Sequence, residues 1–223
     1  MKRFLSITLS LAMLITSVMG LQTTAFASEP TSSSQQTEVA TVNDVKALKP
    51  YVEINEDGTL SLNAEEALAN GAKEQAVEAL QGHFGILNEE IKNGEISVAE
   101  DLTIIGGEKE FATHYCSRGI NSYSEFWWGY QRKACDCESN RIANDLNTAA
   151  AGGGMVTGAA AIASVALAAI FPPAVPIANL IGGGAAFDGS YWWLVASRIT
   201  ANNNGRGVIM DMTYALFFDI TPQ

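Results

Sequence analysis

The residues with the most definite chemistry are three cysteines in the second half of the chain, Cys116, Cys135 and Cys137. The chain begins with a segment typical of exported proteins, so these thiols are expected to meet an oxidising environment. Three thiols form one disulfide and leave one thiol over. A bridge from Cys116 to Cys135 or to Cys137 closes a loop of about 20 residues, which is worth on the order of 3 kcal/mol. The sequence predicts one disulfide, with both pairings open.

The same stretch has an alternative chemistry, because "HYC" places His114 near the first cysteine and "CDC" contains the other two. One histidine and three cysteines form a donor set that binds zinc. Neither pair has the spacing of two to four residues that separates the ligands of most zinc sites. The oxidising environment also favours the disulfide, so no metal site is predicted.

Enzymatic motifs are missing from the sequence. "AGGGM" and "IGGGA" are rich in glycine, but the lysine of a phosphate-binding loop follows neither of them. There is no nucleophile elbow and no pair of acids in a recognisable motif. Of the two histidines, His83 in "QGHFG" is expected to be an exposed helix residue. The sequence therefore predicts a protein that is not an enzyme, without catalytic residues and without a cofactor.

Residues 1–27 predict export. Lys2 and Arg3 are followed by the apolar run "FLSITLSLAMLITSVMGL" and then by "AFA", which is the order of a signal peptide. The small residues Ala25 and Ala27 predict cleavage after Ala27, and an uncleaved N-terminal anchor is the alternative. The predicted location is therefore extracellular, as a secreted protein.

The charge divides the rest of the chain into two parts. Residues 28–113 contain 17 acids and 5 lysines, a net charge of −12, whereas residues 114–223 contain 7 acids and 6 bases, a net charge of −1. This asymmetry predicts a linker over 28–45, an acidic N-terminal module or pro-region over 46–113 and a hydrophobic C-terminal domain over 114–223. No basic stripe is present to hold phosphates, which argues against nucleic acid as a partner.

The N-terminal module is predicted to contain a β-hairpin and an amphipathic helix. "YVEINEDGTLSL" alternates apolar residues on both sides of a turn at Gly58. Asn63 caps a short helix with Glu66 three residues on, and Gly71 interrupts that helix. A second helix follows and ends at "NG", residues 93–94. Its apolar residues at spacings of three and four predict one buried face, made of Val77, Leu80, Phe84, Leu87 and Ile91.

The C-terminal domain is predicted to run strand, long helix, tight Pro turn, second helix, strand, which makes the fold class α+β. "SYSEFWWGYQRK" places Phe126, Trp128 and Tyr130 on one face of a single strand. "RGVIMDMTYALFFDI" is apolar at seven alternate positions from 208 to 220 and is also predicted to be one strand. Helical sequence starts at Ser139, "PP" at 172–173 stops the first helix, and Gly205 ends the second.

Residues 149–171, "AAAGGGMVTGAAAIASVALAAIF", form an uncharged run of 23 residues, long enough to cross a bilayer. Ala163 lies near the centre of this run. The insertion free energies of the strongly apolar residues in the run add up to roughly −2 to −4 kcal/mol. Gly154 and Gly158 have the spacing at which two membrane helices approach closely. Trp192 and Trp193, in the second segment, suit a membrane–water interface. The sequence predicts a helical hairpin that perturbs membranes, and the alternative is a soluble core hairpin covered by the two strands.

Four stretches of the C-terminal domain, "FWWGYQRK", "NRIANDLN", "YWWLVASRI" and "GRGVIMDMTYALFFDITPQ", resemble small exported, bacteriocin-like proteins of Bacillus-type Gram-positive bacteria. The resemblance covers residues 114–223 and implies an exported antimicrobial protein, without an established activity or catalytic residue. The predicted function is a secreted toxin precursor whose partner is the lipid membrane of target cells, with an unidentified immunity protein as a further partner. The alternative is a stable secreted binding or structural protein.

Overall fold

The computed structural model describes residues 39–106, 108–109, 118–152, 166–171 and 189–223. The predicted signal peptide and most of the predicted linker lie outside these ranges. The described residues all belong to one compact unit, which spans Glu38–Gln223. The described chain combines helices with small antiparallel sheets, which confirms the predicted α+β class.

The first helix, α1 (Val42–Lys46), begins inside the predicted linker. Thr41 and Asp44 cap it reciprocally: the Asp44 N–H donates to the Thr41 hydroxyl at 3.2 Å, and the Asp44 carboxylate accepts from the Thr41 N–H at 2.7 Å. Val42 and Val45 lie three residues apart, on one side of the helix, and both are buried. The linker therefore does not extend through Val45, because this single capped turn buries two valines.

A 3₁₀ turn at Lys49–Tyr51 leads into the predicted hairpin, whose antiparallel strands are β1 (Val52–Ile54) and β2 (Leu60–Leu62). Gly58 in its turn has a φ of +80°, a left-handed conformation that glycine adopts without steric cost. The hairpin prediction is confirmed.

Two helices follow, α2 (Ala64–Ala69) and α3 (Glu74–Lys92). Asn63 caps α2 as predicted, since its side chain accepts from the Glu66 N–H at 3.2 Å. Four of the five residues predicted for the apolar face of α3 are buried, and the fifth, Ile91, is partly buried. The buried surface is also wider than predicted and comprises Ala76, Val77, Ala79, Leu80, His83, Phe84 and Leu87. A short hairpin comes next, with strands β3 (Ser97–Val98) and β4 (Ile104–Ile105).

Five antiparallel strands form the main sheet, in the order β5, β6, β7, β8, β9. Their bounds are Glu108–Lys109, Ser122–Phe126, Gly129–Ala134, Val208–Met212 and Phe218–Pro222. Because β7 pairs with β8, the sheet brings the two ends of the predicted C-terminal domain together.

The prediction of a single strand over "SYSEFWWGYQRK" is wrong, because the chain reverses in its middle. Phe126 of β6 pairs directly with Gly129 of β7, so Trp127 and Trp128 form a two-residue turn. Phe126 and Tyr130 therefore point to opposite faces of the sheet, and not to one face as predicted. Regular alternation of aromatic residues continues through the turn and does not reveal it.

The prediction of a single strand over "RGVIMDMTYALFFDI" is wrong for a related reason. Met212 of β8 pairs with Phe218 of β9, and residues 213–217 form the turn between them. The Leu216 N–H donates to the Thr213 carbonyl at 2.9 Å inside this turn. A turn with an odd number of residues keeps the alternation in phase, so inward-facing residues recur at every second position on both sides of the reversal.

Two helices of the C-terminal half, α4 (Asp136–Gly152) and α5 (Gly189–Asn202), pack on each other and on one face of the sheet. Residues 166–170 are helical as well. As predicted, a helix follows β7, and α5 ends shortly before Gly205. The predicted Pro turn lies outside the described residues. The core between helices and sheet contains Tyr123, Tyr130, Ile142, Leu146, Leu167, Ile170, Trp192, Val195, Ile199, Val208, Met210 and Met212.

A second core surrounds α3, and residues from the C-terminal half complete it. The tryptophans of the β6–β7 turn, Trp127 and Trp128, are buried in this core, and Ala215 and Phe217 of the β8–β9 turn pack against it. The acidic N-terminal region and the hydrophobic C-terminal region therefore share one core at this end of the sheet.

Candidate functional site

Trp193 and Leu194 form an exposed apolar pair on α5, with 60% and 46% of their surface accessible. We call these two residues the α5 patch. The opposite side of the same helix is buried, with Val195 and Ile199 in the core. Large apolar side chains that lie next to each other on a rigid surface are typical of contact sites for lipids or other partners.

Contacts at the start of α5 hold the helix in place. The Tyr191 hydroxyl donates to the backbone carbonyl of Leu216 in the β8–β9 turn. Its ring lies 5.0 Å from the Trp192 ring and 6.1 Å from the Phe218 ring, measured between centroids. Burial raises the pKa of Tyr191, so its hydroxyl remains a neutral donor at any physiological pH. The α5 patch is therefore presented by a fixed helix.

Trp192 lies in the core and not at the surface that was predicted for it. Neighbouring residues on a helix point about 100° apart, and this offset places Trp192 on the inner side of α5 and Trp193 on the outer side. Trp192 shares the inner side with Val195 and Ile199 at helical spacing and is fully buried. Of the two predicted interface tryptophans, Trp193 alone is exposed.

Gly154 and Gly158, predicted for close helix packing, and Ala163, near the centre of the predicted membrane run, lie outside the described residues, so their roles stay predictions. Of the apolar run 149–171, residues 149–152 and 166–171 are described, and among the latter Leu167, Ile170 and Phe171 are buried in the core. Within the described ranges, no helix has both the length and the apolar character needed to cross a bilayer.

A buried charge network connects the sheet to the helices. Arg132 of β7 is 1% exposed, and its guanidinium lies 3.3 Å from the Glu138 carboxylate of α4. Glu138 also pairs with Arg141 at 2.6 Å, and Arg141 donates to the backbone carbonyl of Ala169 at 3.3 Å. Burial lowers the pKa of Arg132 to about 10, which leaves the guanidinium charged at neutral pH. The network thus ties the end of the apolar run to α4 and β7.

Sequence reasoning missed this network, although two signals for it are present. Arg132 lies between Tyr130 and Ala134, at the period of inward-facing residues in β7. Glu138 precedes Arg141 by three residues, which places both on one side of α4. A charge at an inward strand position needs a buried partner, and the next helix supplies it.

The prediction of an exposed His83 is wrong. His83 is fully buried, its Nε2–H donates to the backbone carbonyl of Phe126 at 2.7 Å, and its ring meets Tyr130 edge-on at 5.0 Å between centroids. Burial lowers its pKa to about 4, so the imidazole is neutral at pH 7. The reason is that the β6–β7 hairpin packs against α3 and covers His83. The predicted apolar face of α3 did not include this side of the helix.

The cysteines are described in part. Cys135 is fully buried between β7 and α4, and Cys137 lies at the exposed side of the first turn of α4. Cys116 lies outside the described residues, so its pairing with Cys135 or Cys137 stays a prediction.

The α5 patch, the Arg132 charge network and the buried His83 differ in their access to solvent. Arg132, Glu138 and His83 are buried, whereas the patch faces solvent. No protein-family model, curated protein or solved structure matches the chain.

Proposed function

We propose that the protein is a secreted, membrane-active protein of the bacteriocin-like type, and that it contacts target membranes through the α5 patch. The observation that carries the proposal is the exposure of Trp193 and Leu194 side by side on a helix whose other side is fixed in the core. Tryptophan favours the membrane–water interface, and leucine favours the acyl chains just below it.

The magnitude of this contact indicates reversible binding. Full burial of a large apolar side chain is worth about 1.5 to 3 kcal/mol. Because Trp193 is 60% exposed and Leu194 46%, moving both out of water is worth about 2 to 3 kcal/mol. Arg198, the one charged residue of α5, lies one turn after Leu194 and adds attraction to anionic lipids of about 1 kcal/mol.

The acidic region has a structural role in this proposal. Residues 28–113 contribute a net charge of −12, and their described part packs around Trp127 and Trp128 from the C-terminal half. Removal of this region would expose both tryptophans to water. We therefore propose that the working protein keeps the acidic region and does not lose it as a pro-region.

A second candidate function is a stable secreted binding or structural protein. The observation that favours it is the burial of Leu167, Ile170 and Phe171, which places the end of the apolar run in the core. On that alternative, the α5 patch binds a protein partner and lipids have no effect.

Tryptophan fluorescence tests the first proposal, because the chain has four tryptophans and all four are described. Trp127, Trp128 and Trp192 are 7% exposed or less, whereas Trp193 is 60% exposed. Phosphatidylglycerol vesicles should shift the emission of the purified protein to shorter wavelength and protect it from acrylamide quenching. Trp193→Phe should abolish both changes. Phosphatidylcholine vesicles should give a smaller response, because they lack the negative charge that attracts Arg198.

Leakage of an entrapped dye from the same vesicles measures the consequence of binding. Replacing both residues of the patch, Trp193→Ser with Leu194→Ser, should reduce leakage several-fold. Leu68→Ser is the matched control, because Leu68 is 43% exposed on α2, and it should leave leakage unchanged. Folded wild-type protein that leaves emission and vesicles unchanged in both lipids would overturn the proposal and favour the second candidate.

A further inference from the structure

A cleft of about 400 Å³ opens near the ends of β7 and β8, and its lining comprises Gly119, Ile120, Lys133, Arg206, Ile209 and Gln223. We call it the Lys133 cleft. It lies on the sheet face away from α4 and α5, because Arg132 points towards Glu138 of α4 and the next residue of the strand points the other way. The cleft is therefore distinct from the α5 patch.

The walls of the Lys133 cleft are preformed. Gly119 has a φ of +89°, and a Cβ there would lie 1.7 Å from the Arg206 carbonyl oxygen, so glycine alone fits this approach. The Gln223 side chain fixes the same loop: its oxygen accepts from the Ile120 N–H at 2.7 Å, and its NH₂ donates to the Ile120 and Ala134 carbonyls at 2.9 Å each. These bonds attach the loop to the end of β7.

The floor of the cleft is apolar, with a cation on each side. Ile209 lies directly opposite Lys133 in the β7–β8 register, and Ile120 lies across from them in the loop. The Lys133 ammonium and the Arg206 guanidinium make no ion pair or hydrogen bond with the described residues, and no described lining residue has a carboxylate side chain. Asp211, two residues along the same face of β8, is already engaged by Lys46 at 2.6 Å.

The chain as a whole is acidic, with a net charge of −11, so two cations that line one cleft without a described carboxylate partner form a local positive site. Elsewhere Lys46, Lys73 and Arg141 each pair with a carboxylate at 3.0 Å or less. Two unpaired cations above an apolar floor match a ligand that has an anionic head and an apolar body. A volume of about 400 Å³ falls within the range of small-molecule sites, roughly 300 to 1,000 Å³.

We propose that the Lys133 cleft binds a small amphiphilic carboxylate, with its head between Lys133 and Arg206 and its alkyl chain on Ile120 and Ile209. This site does not depend on the proposed membrane contact. The carboxylate accepts charge-assisted hydrogen bonds from both cations, and the alkyl chain covers the isoleucines.

Isothermal titration calorimetry with sodium octanoate, on the purified protein, tests the proposal. Octanoate should bind saturably at one site, and the double variant Lys133→Gln/Arg206→Gln should bind it at least ten-fold more weakly. The control Lys49→Gln/Lys92→Gln removes the same charge from two exposed residues outside the cleft and should bind like wild type. If the first double variant melts below wild type, Arg206→Gln alone, at an exposed side chain, should still weaken binding several-fold.

Two further ligands distinguish the contribution of the anionic head from that of the alkyl chain. Octanol lacks the charge and inorganic phosphate lacks the chain, so each should bind at least ten-fold more weakly than octanoate. Equal binding of either one overturns the proposal. The absence of saturable octanoate binding, or an equal loss in the control double variant, overturns it as well.

Discussion

Acidification should destabilise this protein through one residue, His83. The side chain is fully buried, and its Nε2–H donates to the Phe126 carbonyl at 2.7 Å. Its Nδ1 finds no hydrogen-bond partner among the described residues, so no acceptor there would stabilise a second proton. Protonation would place a positive charge in the core between α3 and the β6–β7 hairpin, where no described carboxylate pairs with His83.

The magnitude follows from the two pKa values. Histidine in the unfolded chain has an ordinary pKa of 6.5, and burial lowers that of folded His83 to about 4. Between these values the unfolded state binds the proton and the folded state does not, so the free energy of unfolding decreases as the pH falls from 6.5 towards 4. The difference of about 2.5 between the two pKa values corresponds to a loss of about 3 kcal/mol in the free energy of unfolding. This loss is a large part of the unfolding free energy of a whole domain, which is typically about 5 to 15 kcal/mol.

Urea unfolding at a series of pH values between 7 and 4 measures this loss. His83→Gln keeps a side-chain donor for the Phe126 carbonyl but cannot titrate, so its free energy of unfolding should depend less on pH, by up to about 3 kcal/mol over the range. The other histidine, His114, and all carboxylates are common to both proteins and cancel in the comparison. Parallel pH profiles for wild type and variant would refute the reasoning, whatever the variant's stability at pH 7.

Two glycines of α3 form a matched pair. Gly85→Ala should raise the free energy of unfolding by up to about 1 kcal/mol, because no described residue lies within 4 Å of the added Cβ. Gly82→Ala should lower it, because its Cβ would lie 2.5 Å from the Tyr214 ring; urea unfolding measures both. Mass spectrometry of the secreted protein should show cleavage after Ala27, and an intact N-terminus contradicts the signal peptide. Alkylation without reduction should label one cysteine of three, and labelling of all three contradicts the disulfide.

The elements that local chemistry specifies could be predicted from the sequence. The turn at Gly58 and the cap at Asn63 each depend on residues within a few positions of one another, and both are confirmed. The buried face of α3 follows from apolar spacing inside a single helix. None of these features needs a partner from a distant part of the chain.

The strands of the main sheet were harder to predict, because the alternation of apolar and polar residues can continue through a turn and then does not show where the chain reverses. Trp127 and Trp128 continue the aromatic pattern and yet form the turn between β6 and β7. Turn residues such as glycine or asparagine are missing at those two positions, so the usual signal of a two-residue hairpin was absent. Pairing with β8 and the packing of the tryptophans around α3 supply the energy that the local sequence does not.

The environment of His83 required knowledge of tertiary structure. Ala76, Leu80, His83 and Leu87 follow spacings of four, three and four, so a second buried stripe was visible beside the predicted one. A histidine in such a stripe is ambiguous, because the sequence does not say which element covers it. The β6–β7 hairpin covers it here, from 43 residues further along the chain.

The proposed membrane contact can be weighed against insertion of the apolar run. Leu167, Ile170 and Phe171 are buried in the folded core, and burial of each is worth about 1.5 to 3 kcal/mol. Pulling all three out therefore costs about 4 to 9 kcal/mol, before the Arg141 bond to the Ala169 carbonyl is broken. Insertion of the whole run returns only roughly 2 to 4 kcal/mol, so it cannot drive the release by itself. Contact through Trp193 and Leu194 needs no such release, because both are already exposed. On these magnitudes, a membrane-active form of this protein binds first at the membrane surface, with its core intact.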